Sequence, residues 1–375
     1  YEIVIIDANG FDDAIELYGF LKSEAHSRKA DPSGIQIFGT PFSVPTFNIN
    51  YEIEVYNKSG ESEISLYDDF VSDYFYTNFQ NDPNDLEKTS AYKLSKSLDN
   101  INIIPDWPVI RLPLSRGQYS NFFAKYKDYQ SNVSGENQVN ISIASPIFPI
   151  GWYSVAIDDT GCFLKRAKDE WGILKNLKLY GTTEGVYPSP LMLDGSCETG
   201  NWAHLTNSSI CEIFHDGHAG ENVLSQTIFY EPANDKYHCK PILETKTINQ
   251  ILDGNKYLLN TFGCEPAKNM SSNIITAALR GRCVGAIAST TLISNVDVDC
   301  LLTQDDYDTG YTKYTFLYEY LLGRKNGVTR SAAFYNGQHQ VASSLLDIRE
   351  SIHPHTLQTS LNNLLGMHNF GIIDP

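Results

Sequence analysis

The sequence predicts an α/β protein with a parallel sheet covered on both faces and a chain divided into two subdomains. Three observations carry this expectation. Runs that are largely apolar recur along the chain, at 34–39 (GIQIFG), 210–214 (ICEIF), 257–262 (YLLNTF) and 283–289 (CVGAIAS). Strands without polar alternation belong to sheets buried on both sides. Helical periodicity separates these runs, the pattern of a doubly covered sheet. The length of 375 residues exceeds one ordinary core and suits two units.

The elements follow in order. Residues 2–7 (EIVIID) read as a first core strand. Phe11, Ala14, Ile15, Tyr18 and Leu21 then share one helix face, and 34–39 is a second strand. Residues 48–66 alternate polar and apolar around Lys58-Ser59-Gly60 and predict a hairpin. The stretch 78–100 is polar and irregular and reads as a surface loop, followed by a strand at 109–114 (VIRLPL). Tyr119, Phe122, Phe123 and Tyr126 mark the next helix, and 128–139 reads as a linker. The boundary therefore falls between an amino-terminal unit, 1–139, and a second unit, 140–375. Strands are expected in the second unit at 153–157 (YSVAI), 177–180 (LKLY), 210–214, 257–262 and 283–289. Helices are expected near 162–175, 246–253, 270–280 and 313–323.

Composition narrows the function classes. The chain is 42% hydrophobic and 19% charged, with a formal charge of −17. Such a surface repels phosphate backbones, which argues against nucleic acid as a partner and favours cationic substrates. No apolar run is long enough for a membrane span. The first residue is Tyr1 and 2–7 does not read as a signal core, so a leader or pro-segment is expected to lie outside the sequence. Five sequons, at Asn57, Asn132, Asn140, Asn207 and Asn269, are compatible with a secreted or cell-surface protein. The seven cysteines show neither a CxxC pair nor a zinc-type spacing.

Reactive side chains stand at two strand ends, where open α/β sheets place their sites. The run at 210–214 leads into His215-Asp216-Gly217-His218-Ala219-Gly220, and 257–262 leads into Gly263-Cys264-Glu265. If these strands are neighbours, a histidine and a cysteine meet at the sheet edge, as a thiol nucleophile and its base require. Flanking glycines permit sharp turns and close approach of a substrate, and nearby backbone N–H groups could hold an oxyanion. His215 and His218, three residues apart, could instead share a metal, but no third ligand follows at a matching spacing.

In this order the motifs resemble the gingipain family of caspase-like cysteine peptidases, over nearly the whole chain. IFHDGHAGE is similar to the family's strand and Gly-His-Gly turn. LLNTFGCEPAKN, a helix at 270–280 and VGAIASTT are similar to the strand that ends in a small residue and Cys, with the helix and Ala-Ser-Thr strand after it. Upstream, GIQIFGTPFSVPTF, SDYFYTNF, PDWPVIRLPLS and LKLYGTT resemble further family segments, and FGIIDP resembles the close of the domain.

The resemblance implies a caspase-like fold, with Cys264 as nucleophile and His218, in preference to His215, as its base. It implies the backbone N–H groups of Ala219 and Cys264 as oxyanion donors and Asp158, with Asp159 close behind, as the carboxylate that orients the histidine. A carboxylate for a basic P1 side chain falls near Asp169 or Glu170, with Asp297 and Asp299 as the rival source. The chemistry requires no cofactor, while a structural calcium and a removed pro-segment are implied by the family. The expected activity is a cysteine endopeptidase acting on protein or peptide substrates after basic residues. One departure, Ala219 where the family has glycine, keeps open a weak or inactive binding or assembly protein of the same fold. An unrelated α/β hydrolase or nucleotide-binding protein is disfavoured, because no Gly-x-Ser-x-Gly or Gly-x-Gly-x-x-Gly follows a strand.

Overall fold

The computed structural model describes residues 3–373, apart from 57–58, 87–88, 133–138, 144–147, 151–152, 156–163, 165–167, 170–171, 173, 175, 182–194, 197–209, 216, 232–235, 253–255 and 294–312. The amino-terminal residues contribute helix α1 (Ala14–Arg28) and strand β1 (Ile35–Phe38), then β2 (Phe47–Ile49), the hairpin β3 (Glu52–Tyr56) and β4 (Ser62–Leu66), and β5 (Phe70–Ser72). Helix α2 (Ala91–Ser97), strand β6 (Val109–Leu112) and helix α3 (Tyr119–Asn132) follow. Strand β7 (Val139–Ile143) leads to a small hairpin of β8 (Phe148–Ile150) and β9 (Tyr153–Val155), and then to β10 (Leu177–Gly181) and β11 (Gly195–Ser196). Strand β12 (Ile210–His215) is followed by a three-stranded sheet of β13 (Ala219–Gly220), β14 (Val223–Glu231) and β15 (Lys236–Glu244). The chain continues through α4 (Ile248–Ile251), β16 (Tyr257–Thr261), α5 (Ile274–Arg280) and β17 (Cys283–Ser289). It closes with α6 (Lys313–Lys325), α7 (Arg330–Ile348), α8 (Pro354–Gly366) and β18 (Met367–Phe370).

A nine-stranded sheet runs in the order β1-β6-β18-β17-β16-β12-β7-β10-β11. Its described pairings are parallel except that of β17 with β18. Strands from 1–139 and from 140–375 thus join one sheet, and the two apolar cores lie on its two faces. One core takes in α1, α6, α7 and α8, with Leu17, Phe316, Phe334 and Leu361. The other takes in α3 and α5, with Phe122, Ile274 and Leu279. The predicted α/β fold class is therefore the observed one. Strands β16 and β17 are buried at every position, as coverage on both faces demands.

The joint between β1, β6 and the segment after β5 is polar. Arg111 of β6 is 1% exposed and sets Nε and Nη2 on the two carboxylate oxygens of Asp73, at 2.7 Å each. Its Nη1 donates to the carbonyl oxygens of Gly39 and Val44 at 2.8 and 3.2 Å. A buried bidentate pair with its remaining donors satisfied is the geometry in which such a pair survives desolvation.

Several expectations are corrected. Residues 3–7 form no strand, and Ile3 and Ile5 are 85% and 91% exposed. β1 is the edge strand of the sheet, with β6 beside it, and residues 3–7 do not pair with its other side. Within 78–100, Ser90 accepts from the Lys93 N–H and caps α2, whose Ala91 and Leu94 are buried. Of the stretch 128–139, residues 128–132 belong to α3, which runs to Asn132, β7 begins at Val139, and 133–138 lie outside the described residues. The strand expected at 153–157 is β9, which pairs with β8 and lies outside the main sheet; beside β12 stands β7. The β14–β15 hairpin, α7, α8 and β18 were not expected. No described helix is long and apolar enough to cross a membrane.

Candidate active site

Strands β12 and β16 are neighbours in parallel register, and their last pair is His215 with Thr261. Both chains leave the sheet at the same carboxyl edge, one into the turn that carries His218 and the other into Gly263-Cys264. The Phe262 N–H extends the pairing to the His215 carbonyl at 2.9 Å. A Cβ placed on Gly263 would lie 2.6 Å from both the Gly217 carbonyl oxygen and the Ala219 Cβ. The two loops are thus in van der Waals contact immediately beside Cys264 and His218. A second joint lies farther out: the Ile274 N–H donates to the Glu221 carbonyl at 2.8 Å, and the Asn269 amide donates to the Glu221 carboxylate.

The two histidines have different surroundings. His215 is fully buried. Its Nε2 is 3.1 Å from the Ser225 carbonyl oxygen, and its Nδ1 is 3.0 Å from the Thr261 hydroxyl. A carbonyl only accepts, so Nε2 carries the proton and the Thr261 hydroxyl can donate to Nδ1. Both ring nitrogens are therefore committed to joining β12, β14 and the end of β16. His218 is half-buried and follows Gly217, whose φ of 156° suits glycine. Burial holds the His218 imidazole below its ordinary pKa, which favours the neutral ring.

The backbone beyond His218 belongs to a tight hairpin. The Ser225 N–H donates to the His218 carbonyl at 2.7 Å, and Ala219 pairs with Leu224 in the next register position. Antiparallel pairs alternate between bonded and non-bonded, so the Ala219 N–H turns away from β14. A Cβ on Gly263 would sit 3.3 Å from that nitrogen. On the other side, Cys264 is half-buried, and its thiol lies 3.4 Å from the Ile293 carbonyl oxygen. Glu265 follows at φ 55° and bonds through its N–H to the Thr291 carbonyl at 2.9 Å. This sharp turn lifts the cysteine off the strand axis.

The remaining described thiols differ. Burial and Glu212 push the Cys211 thiol up to about 12, and burial raises that of Cys283, which is wholly enclosed. Both are poor sources of thiolate. Cys239 is exposed on β15. Cys162, Cys197 and Cys300 lie outside the described residues, as do Asp158, Asp159, Glu170, Asp297 and Asp299. Asp169 is described, in a helical segment and exposed. Among the described residues no three His, Cys, Asp or Glu side chains converge to hold a metal ion.

Compared with known structures, the chain aligns along almost its entire length with gingipain R, an Arg-specific cysteine proteinase. The TM-score is 0.58 at 12% identity, over 96% of this chain and 67% of that one. The fold is that of the gingipain catalytic domain. A structure described as a protease matches with a TM-score of 0.57 at 12% identity, over 97% of this chain and 69% of the other. The complex of pro- and mature gingipain domains from Porphyromonas gingivalis matches at 0.54 and 13% identity, over 97% of this chain and 70% of that one. No family model matches the sequence, and no curated protein matches it. The gingipain likeness is thus one of three-dimensional structure.

Within this gingipain fold, sequence reasoning missed the residues that hold the two loops. Thr261 is the last residue of its strand, directly opposite His215, and strand pairing alone could have marked it. Ser225 lies on β14, whose pairing across Glu221-Asn222 was not anticipated. Ile293 acts through its backbone carbonyl, and Glu221 through its carbonyl as well as its carboxylate; for the backbone contacts a sequence carries no signal.

Proposed function

We propose that this chain is a cysteine endopeptidase in which Cys264 attacks the scissile carbonyl and His218 is the base. The observation that carries the proposal is the contact of the two loops across Gly263, at the ends of neighbouring strands. His218 takes the thiol proton, and the thiolate adds to the carbonyl carbon. The oxyanion that develops accepts hydrogen bonds from the backbone N–H groups of Ala219 and Cys264. Collapse to the thioester expels the amine, protonated by His218, which then activates water for deacylation. The depressed pKa of His218 keeps the ring neutral and ready to accept a proton near neutral pH.

The finer parts of the proposal rest on the family resemblance and on charge. Asp158 orients His218, and the chain acts outside the cell or at its surface after removal of a pro-segment. A structural calcium rests on the family resemblance alone, and a chelator-dependent loss of melting temperature tests for it. Cleavage after Arg, and less readily Lys, follows from the strongly acidic surface and from a carboxylate at Asp169, Asp297 or Asp299. Such a site would reject neutral side chains that leave its charge unpaired. The deciding experiment is incubation of the full chain with a peptide library, read by mass spectrometry beside Cys264→Ala. Cleavage that is absent from the wild type, or persists in the variant, refutes the proposal. The first outcome leaves a binding or assembly protein on the same fold. An Arg preference lost in Asp169→Asn assigns the acid there, and one retained moves it to Asp297 or Asp299.

A further inference from the structure

Two contacts join the histidine hairpin to the loop that follows Cys264. The first is the close approach at Gly263, and the second lies at the hairpin tip. There the Glu221 carbonyl accepts from the Ile274 N–H at 2.8 Å, and the Glu221 carboxylate accepts from the Asn269 side-chain amide. Along the hairpin, His218 lies between Gly217 and Glu221; along the other loop, Cys264 lies between Gly263 and Asn269. A single contact would let the loops pivot about it. Two contacts that bracket the reactive pair fix the distance between them.

The loop after Cys264 requires such a hold. Glu265, Asn269 and Met270 have φ of 55°, 54° and 52°, three of the five non-glycine residues with positive φ among the described residues. That region is disfavoured for side chains other than asparagine or aspartate, and it persists where surrounding contacts over-determine it. On the sheet side, the Glu265 and Ala267 N–H groups donate to the Thr291 and Ser289 carbonyls at 2.9 Å each. On the hairpin side, Asn269 is the point held. Its Oδ1 accepts from the Ser271 N–H and hydroxyl at 3.0 Å each, and from the Ser272 N–H at 3.2 Å. Those donors fix which end of the amide is oxygen, and Nδ2 is left for Glu221. The neighbouring cation, Lys268, is committed to Asp68 at 2.5 Å and Glu265 at 3.1 Å.

We propose that Glu221 is a positioning residue for the peptidase reaction, whose carboxylate acts through Asn269 to set the separation of Cys264 and His218. The inference rests on the assignment of those two residues as nucleophile and base. Loss of the hold displaces the thiol from the imidazole, and a misplacement of about 1 Å costs on the order of 10²-fold in rate. Steady-state kinetics of the full chain, on a peptide that the wild type cleaves and with Cys264→Ala as the blank, are the test. Glu221→Ala should lower kcat about 10- to 100-fold and leave KM within about twofold. Glu221→Gln, whose side-chain carbonyl still accepts from Asn269, should retain most of the rate. Asn269→Gly removes the amide at a φ that glycine adopts freely, and kcat should fall at least as far. The double variant Glu221→Ala/Asn269→Gly should be no slower than Asn269→Gly alone, because both changes cut one link. Wild-type kcat in folded Glu221→Ala overturns the inference, as does a rise in KM in place of the fall in kcat. So does a Gln variant as slow as the Ala one, or losses that multiply in the double variant. If Glu221→Ala does not fold, wild-type kcat in Asn269→Gly is equally fatal. Those results leave the peptidase reading standing. Cleavage that is absent from the wild type, or persists in Cys264→Ala, overturns that reading and this inference together.

Discussion

His215 and His218 stand three residues apart, and their surroundings predict that substitution separates fold from chemistry. His215→Ala removes a fully buried ring and leaves the Thr261 hydroxyl and the Ser225 carbonyl without that partner. Comparable large-to-small changes cost about 2–5 kcal/mol, and an orphaned buried polar group costs about 1–3 kcal/mol. The terms overlap, because water can enter the space and rebond the two groups. The expected loss is therefore about 3–5 kcal/mol, a large share of the roughly 5–15 kcal/mol available to a typical folded protein. His218→Ala empties a half-buried site in a turn, and its cost should stay near 1 kcal/mol. Its rate on a cleaved peptide should fall by about 10²–10⁴-fold, the usual contribution of a general base. Urea unfolding followed by circular dichroism gives the stability of each variant. Single-substrate rates, compared at equal folded fraction, give the chemistry. Equal destabilisation by the two substitutions, or full activity in folded His218→Ala, would falsify the assignment.

Other consequences are open to simpler measurements. Iodoacetamide should label Cys264 far ahead of Cys211 and Cys283, whose thiols burial holds protonated; exposed Cys239 should also react, but only the Cys264 rate should drop in His218→Ala. Peptide mapping that finds Cys283 modified first contradicts the reading. Gly263→Ala should cost about 1–3 kcal/mol as an overpacked site and abolish cleavage, whereas Gly117→Ala, with nothing within 4 Å of the new methyl, should do neither. Adding Ala219→Gly should not restore Gly263→Ala, because the Gly217 carbonyl oxygen remains 2.6 Å from the added carbon. Burial pushes His368 from 6.5 down to about 4. Between those values the unfolded chain binds a proton that the native protein refuses, so stability falls as pH drops through that window, by about 3 kcal/mol in all. His368→Gln should flatten that slope, and a melting temperature that is equally pH-dependent in the variant counts against it.

How much of this was legible in the sequence depended on what each segment packs against. Strands β12, β16 and β17 are legible because a parallel strand covered on both faces is mostly apolar along its length, with its few polar side chains, such as Glu212 and Asn260, paired inside. Residues 3–7 have a similar composition, yet Ile3, Val4 and Ile5 are exposed beside a sheet whose edge strand is β1, because composition does not reveal which segment takes an edge. The β9 segment failed for the same reason: YSVAI reads as a core strand, yet β9 pairs with β8 in a separate hairpin, and the neighbour of β12 is the more polar NISI of β7. For the site, the strand-end positions of His218 and Cys264 were readable from local sequence. The choice between the two histidines rests on contacts made by Thr261 and Ser225, which lie 46 and 10 residues from His215. Such long-range partners leave no periodic trace.

The alanine at position 219 bears most directly on whether the fold retains its chemistry. A methyl group in place of the family's glycine needs an allowed backbone conformation and space. The first is met by strand pairing, since Ala219 lies in β13 opposite Leu224. The second is met across the loop contact, where Gly263 has no side chain and the Ala219 methyl lies 2.6 Å from the place a Cβ there would take. The methyl thus faces Gly263, the residue that precedes Cys264. The direction of the Ala219 N–H is set by the hairpin register, which the change from glycine to alanine leaves intact. Substitution at 219 therefore alters packing between the two loops and leaves the proposed oxyanion donor pointing the same way. A cysteine and a histidine on loops that fit each other are what the proposed peptidase requires, and a Cys264→Ala variant that still cleaves would remove the case for it.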